Sequence, residues 1–277
     1  MLSKNQISFI NSLKQKKYRE EHQLFIAEGV KIVSELLNSS IVVKQIYATS
    51  EFLRNNKIPN TVERFEIKEN ELERISALTK ANEVLAVCEV PSYELNGLEN
   101  ETLKGKLTLV LDDIKDPGNL GTIIRIADWF GIENIVCSSE TVDAFNSKVV
   151  QATMGSIARI KIHYVDLISF IKQIENVTQS ATEKGSSRSV TLSGVEGQYP
   201  IYGALLEGKN IYSEKLSSEG LIVIGNESRG ISEEVQILIT NKISIPSFSH
   251  YKQGGGEAES LNAAIATSII CSEFRRR

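Results

Sequence analysis

The second half of the chain carries short, almost wholly apolar runs separated by stretches with helical period: "KLTLVLDD", "NIVCSS", "ARIKIHYV", "PIYGALLE", "LIVIGNE" and "KISIP". A strand with no polar face must be covered on both sides. Helices between successive runs do that, and they also force the strands parallel. The pattern therefore predicts an α/β domain built on a buried parallel sheet. From Leu24 to Val90 a second alternation appears, with apolar runs "LFIAEG", "VVKQIYAT", "VERFEI" and "VLAVCEV" separated by "VKIVSELLNS", "EFLRNN" and "ENELERISAL". This predicts a smaller α/β module. Residues 91–105, "PSYELNGLENETLKG", have no period and read as a linker. The division drawn from this is a domain over 1–98, a linker over 99–106 and a domain over 107–277. Residues 176–198, rich in Ser, Thr and Gly, are expected to form a flexible excursion with a transient hairpin.

Composition narrows the setting. Of the 277 residues, 41% are hydrophobic and 24% charged, which places the chain in no special class. Cys88, Cys137 and Cys271 lie far apart without a CxxC pair, and His22, His163 and His250 are equally scattered, so neither a disulfide framework nor a zinc site is expected. No apolar stretch approaches a signal peptide or a membrane span, and the expected setting is the cytoplasm. A net charge of −4 argues against a nucleic-acid binder as a whole. Local clusters can still attract phosphates, because screening confines each charge to about 10 Å at ordinary salt. Lys14, Lys16, Lys17 and Arg19 form one such cluster and Arg275, Arg276 and Arg277 another; each is equally readable as a solvated helix end.

Ligands of open parallel α/β sheets bind outside the carboxyl ends of the strands. Three loops there have unusual content. The first, "DPGNLGTIIRIADWFG", starts a helix whose face Leu120, Ile123, Ile124 and Ala127 should pack on the sheet; taken alone, Asn119 reads as its N-cap and Arg125 as a solvated residue near Asp128. The second, "GNESRGIS", holds Glu227 between Gly225 and Gly230 and reads alone as a tight strand-to-helix turn. The third, "SFSHYKQGGGEAESLNAAIATSII", places Ser260 as an N-cap before a helix with Leu261, Ile265 and Ile269 inward and Ala263, Ala264 and Ala266 packed closely. Gly254 to Gly256 suggest mobility or a phosphate nest, without the Walker lysine or GxGxxG spacing.

Together, "NLGTIIRIA", "LIVIGNESRGIS" and "ISIP" followed by "ESLNAAIA" resemble the three motifs of the SpoU, or TrmH-like, family of RNA ribose 2'-O-methyltransferases, over roughly residues 107–274. The first half resembles the small substrate-binding domain, related to a ribosomal protein, that often precedes it. The resemblance implies a parallel-sheet SPOUT domain with a deep C-terminal trefoil knot, a homodimer, S-adenosyl-L-methionine as cofactor and RNA as partner, ribosomal RNA before tRNA. It implies that Asn119, Arg125, Glu227, Ser260 and Asn262 form the catalytic set. Gly225, Ile245 and Leu261 correspond to the knot loops that hold the cofactor, with a turn at Gly203 and Ala204 lining the same pocket. Arg125 is the family's proposed base; a guanidinium of pKa above 12 is a poor proton acceptor, so phosphate binding or alkoxide stabilisation is the preferred role. Ser228 stands where glycine is frequent, and "SHYKQGGGE" lengthens the third loop. The rival readings are a non-catalytic RNA-binding protein on this fold and an α/β enzyme for a phosphorylated or nucleotide substrate.

Overall fold

The computed structural model describes residues 2–93, 103, 105–183, 199–248 and 260–276, with 176–183 described by backbone alone. The first part of the chain runs α1 (Lys4–Ser12), α2 (Lys16–His22), β1 (Leu24–Glu28), α3 (Val30–Leu37), β2 (Val43–Ala48), α4 (Ser50–Asn55), β3 (Glu63–Glu66), α5 (Glu69–Ile75) and β4 (Val84–Glu89). It continues through β5 (Leu107–Leu111), α6 (Pro117–Trp129), β6 (Asn134–Ser138), α7 (Ser147–Thr153), β7 (Lys161–Val165), α8 (Leu167–Glu183), β8 (Ile201–Asn210), β9 (Gly220–Ile224), α9 (Glu233–Gln236), β10 (Asn241–Ser244) and α10 (Ala263–Arg276). Contacts divide the chain into two compact units, Met1–Ser92 with Asp143–Arg159, and Tyr93–Val142 with Ile160–Arg277.

In the first unit β4 lies antiparallel between β1 and β2, and β3 adds parallel to β2, giving the order β1-β4-β2-β3. Ile10 and Leu13 at the amino end pack with Ile26, Tyr47, Leu72, Ile75 and Leu85 in one buried cluster. Helix α1 opens with a capping box in which Ser3 accepts from the Gln6 amide and Gln6 returns the bond to Ser3. The segment 143–159, expected within the second domain, belongs to this unit. Asp143 pairs with Arg19, the Phe145 ring sits 4.9 Å from that of Phe25, and Arg159 meets Glu35 at 2.6 Å.

The basic cluster near the start is not a free phosphate patch. Arg19 is only 3% exposed; it donates to Asp143 Oδ2 at 2.9 and 2.6 Å and to the Leu13 carbonyl at 2.9 Å. Lys14 donates to the Ser76 carbonyl, and desolvation lowers its pKa. Lys16 pairs with Glu20 and Lys17 lies over the Tyr18 ring, both at the surface. A buried guanidinium must be paired and hydrogen-bonded to be tolerated, which is the state of Arg19.

The second unit holds a six-stranded, wholly parallel sheet in the order β10-β8-β9-β5-β6-β7. Its central strands β5 and β9 are buried at every position, as their unbroken apolar runs require. Val110, Val136, Leu221 and Val223 pack with Leu167, Phe170 and Ile171 of α8 in one core cluster. Helix α8 runs to Glu183, so the first part of the expected 176–198 excursion is helical; residues 184–198 lie outside the described residues.

Strand β8 departs from regular pairing. Its Gly203 is opposite Lys242 of β10, yet the next β10 residue, Ile243, pairs with Lys209. Residues 204–208 therefore bulge out between two paired ends. Gly208 closes the bulge where a Cβ would stand 2.3 Å from the Ile243 carbonyl carbon, so no side chain fits. Helix α10 packs along α6, and Arg275 donates to the carbonyls of Phe130 and Gly131, capping the carboxyl end of α6. Arg276 pairs with buried Glu273. The carboxyl-terminal arginines described thus serve helix ends rather than a phosphate patch, and Arg277 lies outside the described residues. Cys88, Cys137 and Cys271 are all buried, and desolvation pushes each thiol up, Cys271 to about 12.

Candidate active site

The loops that follow β5, β9 and β10 meet at the carboxyl end of the sheet. The N-cap of α6 is Asp116, which accepts from the Asn119 amide at 2.8 Å, with Pro117 at the first helical position. This corrects the expectation that Asn119 is the cap. A stretch with Asp and Asn three residues apart offers two candidate caps, and the one before proline is used. The Asn119 side chain is thereby released from capping.

Its amide joins the other two loops. Asn119 Nδ2 donates to Glu227 Oε1, and Asn119 Oδ1 accepts from Asn262 Nδ2 at 2.8 Å. Asn262, not Ser260, caps α10: its Oδ1 accepts from the amides of Ala264 and Ile265 at 3.0 and 3.2 Å. Moving the cap changes the face. Ala263, Ala264, Thr267, Ile270, Cys271 and Phe274 are buried, whereas Leu261 is 46% and Ile265 54% exposed and Ile269 is half-buried. The expected inward set Leu261, Ile265 and Ile269 is thus overturned. The alanines allow the helix to approach its neighbours closely.

The Glu227 loop is held from below. Asn226 and Gly230 exchange backbone bonds at 3.0 and 2.8 Å, and Asn226 Oδ1 accepts from the amides of Ser228 and Arg229. A Cβ on Gly225 would lie 2.2 Å from the Gly230 carbonyl carbon, so only glycine lets the loop close on itself. Ser228, the departure from the usual glycine, is exposed and donates its backbone amide to Asn226 Oδ1. Asn226 Nδ2 also donates to the Asp113 carbonyl at 2.8 Å, and the Asp113 carboxylate accepts from Arg229 and pairs with Lys115 at 2.6 Å. That pairing raises the Lys115 pKa. Asp113 presents carbonyl and carboxylate toward one loop from a left-handed conformation, φ +61°. Buried Asp112 accepts from the Ser232 amide at 2.7 Å. Sequence reasoning missed Asp113, Asn226 and Arg229; the acidic pair directly after an apolar strand was the available signal.

Beside this cluster lies a cavity of about 870 Å³, within the size range of small-molecule sites. Its described walls are the β8 bulge from Ala204 to Glu207, the loop from Gly225 to Gly230, β10 with Ile245, and Ser260, Leu261, Ala266 and Ile270. Of the expected cofactor residues, Ala204, Gly225, Ile245 and Leu261 line it. Gly203 does not, and it is not in a turn: it is paired within β8 to Val223, where a Cβ would stand 2.2 Å from Ile239 Cδ1. Leu205, Leu206 and Glu207 line the wall instead. The two glycines bracketing "ALLE" were the clue to a bulge. Apolar walls, backbone groups left accessible by Gly225, and a few polar side chains suit an adenosyl group bearing an amino-acid tail. Of the loop 247–257, expected to be long and mobile, residues 249–257 lie outside the described residues.

Arg125 stands apart. It is exposed and, among the described residues, its guanidinium has no hydrogen-bond or ion-pair partner. Six positions beyond Asn119, it leaves α6 about 120° around the axis from it. The structure therefore joins Asn119, Glu227 and Asn262, puts Ser260 on the cavity wall and leaves Arg125 facing outward.

The description of the SpoU rRNA methylase family matches residues 106–272, and that of the MRM3-like substrate-binding domain matches residues 4–86. The 23S rRNA (guanosine(2553)-2'-O)-methyltransferase RlmP of Bacillus subtilis is 27% identical over 94% of this chain and 92% of its own length. A TrmH-family structure from Porphyromonas gingivalis superposes with a TM-score of 0.79 and 36% identity over 100% of this chain and 99% of that one. The AdoMet-bound rRNA methyltransferase of Sinorhizobium meliloti superposes at 0.75 with 27% identity, covering 100% and 97%. Among the described residues no helix is long and apolar enough to cross a membrane, and no three His, Cys, Asp or Glu side chains gather as a metal site. With three motif loops joined by hydrogen bonds beside one cavity and a family match over residues 106–272, this protein belongs to the SpoU rRNA methylase family.

Proposed function

We propose that this chain transfers a methyl group from S-adenosyl-L-methionine to a ribose 2'-hydroxyl of RNA, and that the RNA is ribosomal. The observation that carries the reading is the Asn262–Asn119–Glu227 hydrogen-bond chain beside the cavity. When bound, the cofactor supplies an electrophilic methyl on a sulfonium. Its transfer to the ribose oxygen would release the cofactor as the thioether, with the hydroxyl proton passing to solvent. Glu227, with one carboxylate oxygen engaged by Asn119, has the other to orient the hydroxyl. Ser260 and the bulge at Ala204 bound the cavity, where Gly225, Ile245 and Leu261 offer backbone to the cofactor. Arg125 binds phosphate or steadies developing negative charge; its high pKa suits that role and not proton removal.

In this reading residues 1–98 supply substrate binding, 99–106 link and 107–277 carry catalysis. The carboxyl-terminal segment forms a trefoil knot, an exception to the usual unknotted topology, which the close packing of Ala263 and Ala264 supports. The chain acts as a cytoplasmic homodimer, for which the exposed apolar residues Leu261, just ahead of α10, and Ile265, within it, offer a contact. The test is methyl transfer from labelled S-adenosyl-L-methionine to unmodified large-subunit rRNA and, separately, to tRNA, with mapping of 2'-O-methyl positions. Labelled rRNA is the expected result. Labelled tRNA alone moves the substrate, and label in neither RNA ends the proposal.

A further inference from the structure

We infer that Glu207 is a counter-ion of the cofactor, a carboxylate set in the cavity wall to face a cationic centre of S-adenosyl-L-methionine; this rests on the function proposed above. The β8 bulge that carries it is a built feature. Gly203 pairs with Lys242 and Lys209 with Ile243, so residues 204–208 loop out between two adjacent residues of β10. Ser244 Oγ donates to the Gly208 carbonyl at 2.9 Å, and the Ile211 amide donates to the Ser244 carbonyl at 3.0 Å. Both bonds fasten the far end of the bulge to β10. Bulges beside active sites re-aim side chains, and this one sets Leu205, Leu206 and Glu207 along the cavity.

The balance of charge singles out Glu207. The charged side chains of the described wall are Glu207, Glu227, Arg229 and Lys242. Arg229 donates to the Asp113 carboxylate, and Glu227 accepts from Asn119 and is committed to the ribose hydroxyl in the proposed function. Lys209, just beyond the bulge, pairs with Glu214. Glu207 has no hydrogen-bond or ion-pair partner among the described residues, and Lys242 does not pair with it. Its carboxylate is therefore open to a ligand. S-adenosyl-L-methionine carries a sulfonium and an ammonium against one carboxylate, so it is a net cation at neutral pH. A nucleotide phosphate would meet repulsion at the same wall, and the cavity thus favours an adenosine-bearing cation over an adenosine-bearing anion. Apolar neighbours such as Leu205, Ile224, Ile243 and Ile245 leave the attraction less screened than it is in water.

Isothermal titration of the full-length protein with S-adenosyl-L-methionine, S-adenosyl-L-homocysteine and 5'-methylthioadenosine tests this without turnover. The second ligand lacks the sulfonium charge, and the third lacks the amino-acid tail as well. Glu207→Gln, which keeps the shape, should weaken S-adenosyl-L-methionine binding about tenfold and leave 5'-methylthioadenosine unchanged. Glu207→Asp, which keeps the charge, should recover part of the loss. Unchanged S-adenosyl-L-homocysteine affinity in Glu207→Gln places the sulfonium opposite Glu207, whereas a loss equal to that of S-adenosyl-L-methionine places the ammonium there; either outcome supports the inference. Equal S-adenosyl-L-methionine affinity in wild type and Glu207→Gln overturns it. So does an equal loss for all three ligands, which marks a contact to the adenosine or an altered pocket shape. In both cases wild-type binding of S-adenosyl-L-methionine leaves the proposed function standing, and a wild type that binds none of the three brings both down.

Discussion

Arg19 and Arg125 are both arginines on helices with a basic or polar flank, and in the sequence either can be a phosphate ligand. In the structure they are opposites. Arg19 is buried, donates twice to Asp143 Oδ2 and once to a carbonyl, whereas Arg125 is exposed with no partner among the described residues. A cation whose donors are consumed inside the fold contributes to stability and has nothing left to offer a ligand. The informative property is therefore the balance of donors and acceptors around a charge, which composition and clustering do not contain.

The comparison breaks most readily on stability. Arg19→Ala strands a partly buried carboxylate and should cost about 3–5 kcal/mol, measured by denaturant unfolding; a loss below 1 kcal/mol would make Arg19 dispensable. Arg125→Ala should leave the melt unchanged and cut methyl transfer by about 10²–10³-fold, with Arg125→Lys little better, since an ammonium lacks the planar fork. Asn119→Ala, which severs the links to both Glu227 and Asn262, should lower turnover to a similar extent, read as kcat on rRNA. Near-normal rates in either variant would remove the assignment of that residue. Ala264→Leu overpacks buried space on α10 and should cost about 1–3 kcal/mol and weaken dimerisation and cofactor binding together; in an exposed helix the change would be harmless. The smallest effect sharpens the contrast. Across a salt series, neutralising Arg125 should flatten the log–log slope of rRNA affinity by about 0.7–0.9, and neutralising Lys16 and Lys17 tests whether the exposed remainder of the first cluster contributes at all.

The strands were legible because an unbroken apolar run has few ways to be satisfied, and each run of the second half became a strand of the parallel sheet. The motif polar residues were legible by resemblance, and Asn119, Glu227 and Asn262 do meet. What failed was local. Asp116 and Asn262 displaced the expected caps because clustered Asp, Ser and Asn are interchangeable on paper, and only the path of the chain chooses among them. The inward face of α10 is set by its close approach to α6, which favours Ala263 and Ala264 over the larger Leu261 and Ile265, so size alone does not mark burial there. Gly203 was read as a turn and lies in a strand; the irregularity it hinted at begins one residue later. Helix α8 continues to Glu183 through residues of poor helical propensity, which local preference does not foretell.

Asn262 has one further consequence. Its carbonyl oxygen receives the first amides of α10, its amide nitrogen gives to Asn119, and Asn119 gives to Glu227. Every link points the same way, from the positive end of a fourteen-residue helix to a carboxylate. Neither amide can flip without reversing a donor and an acceptor on both sides. The orientation of the Glu227 side chain is thus written in a one-way circuit that starts in the backbone, and an aspartate at either asparagine position would confront an acceptor with an acceptor. Chemistry at the sheet's edge inherits its polarity from how a helix on a different loop begins.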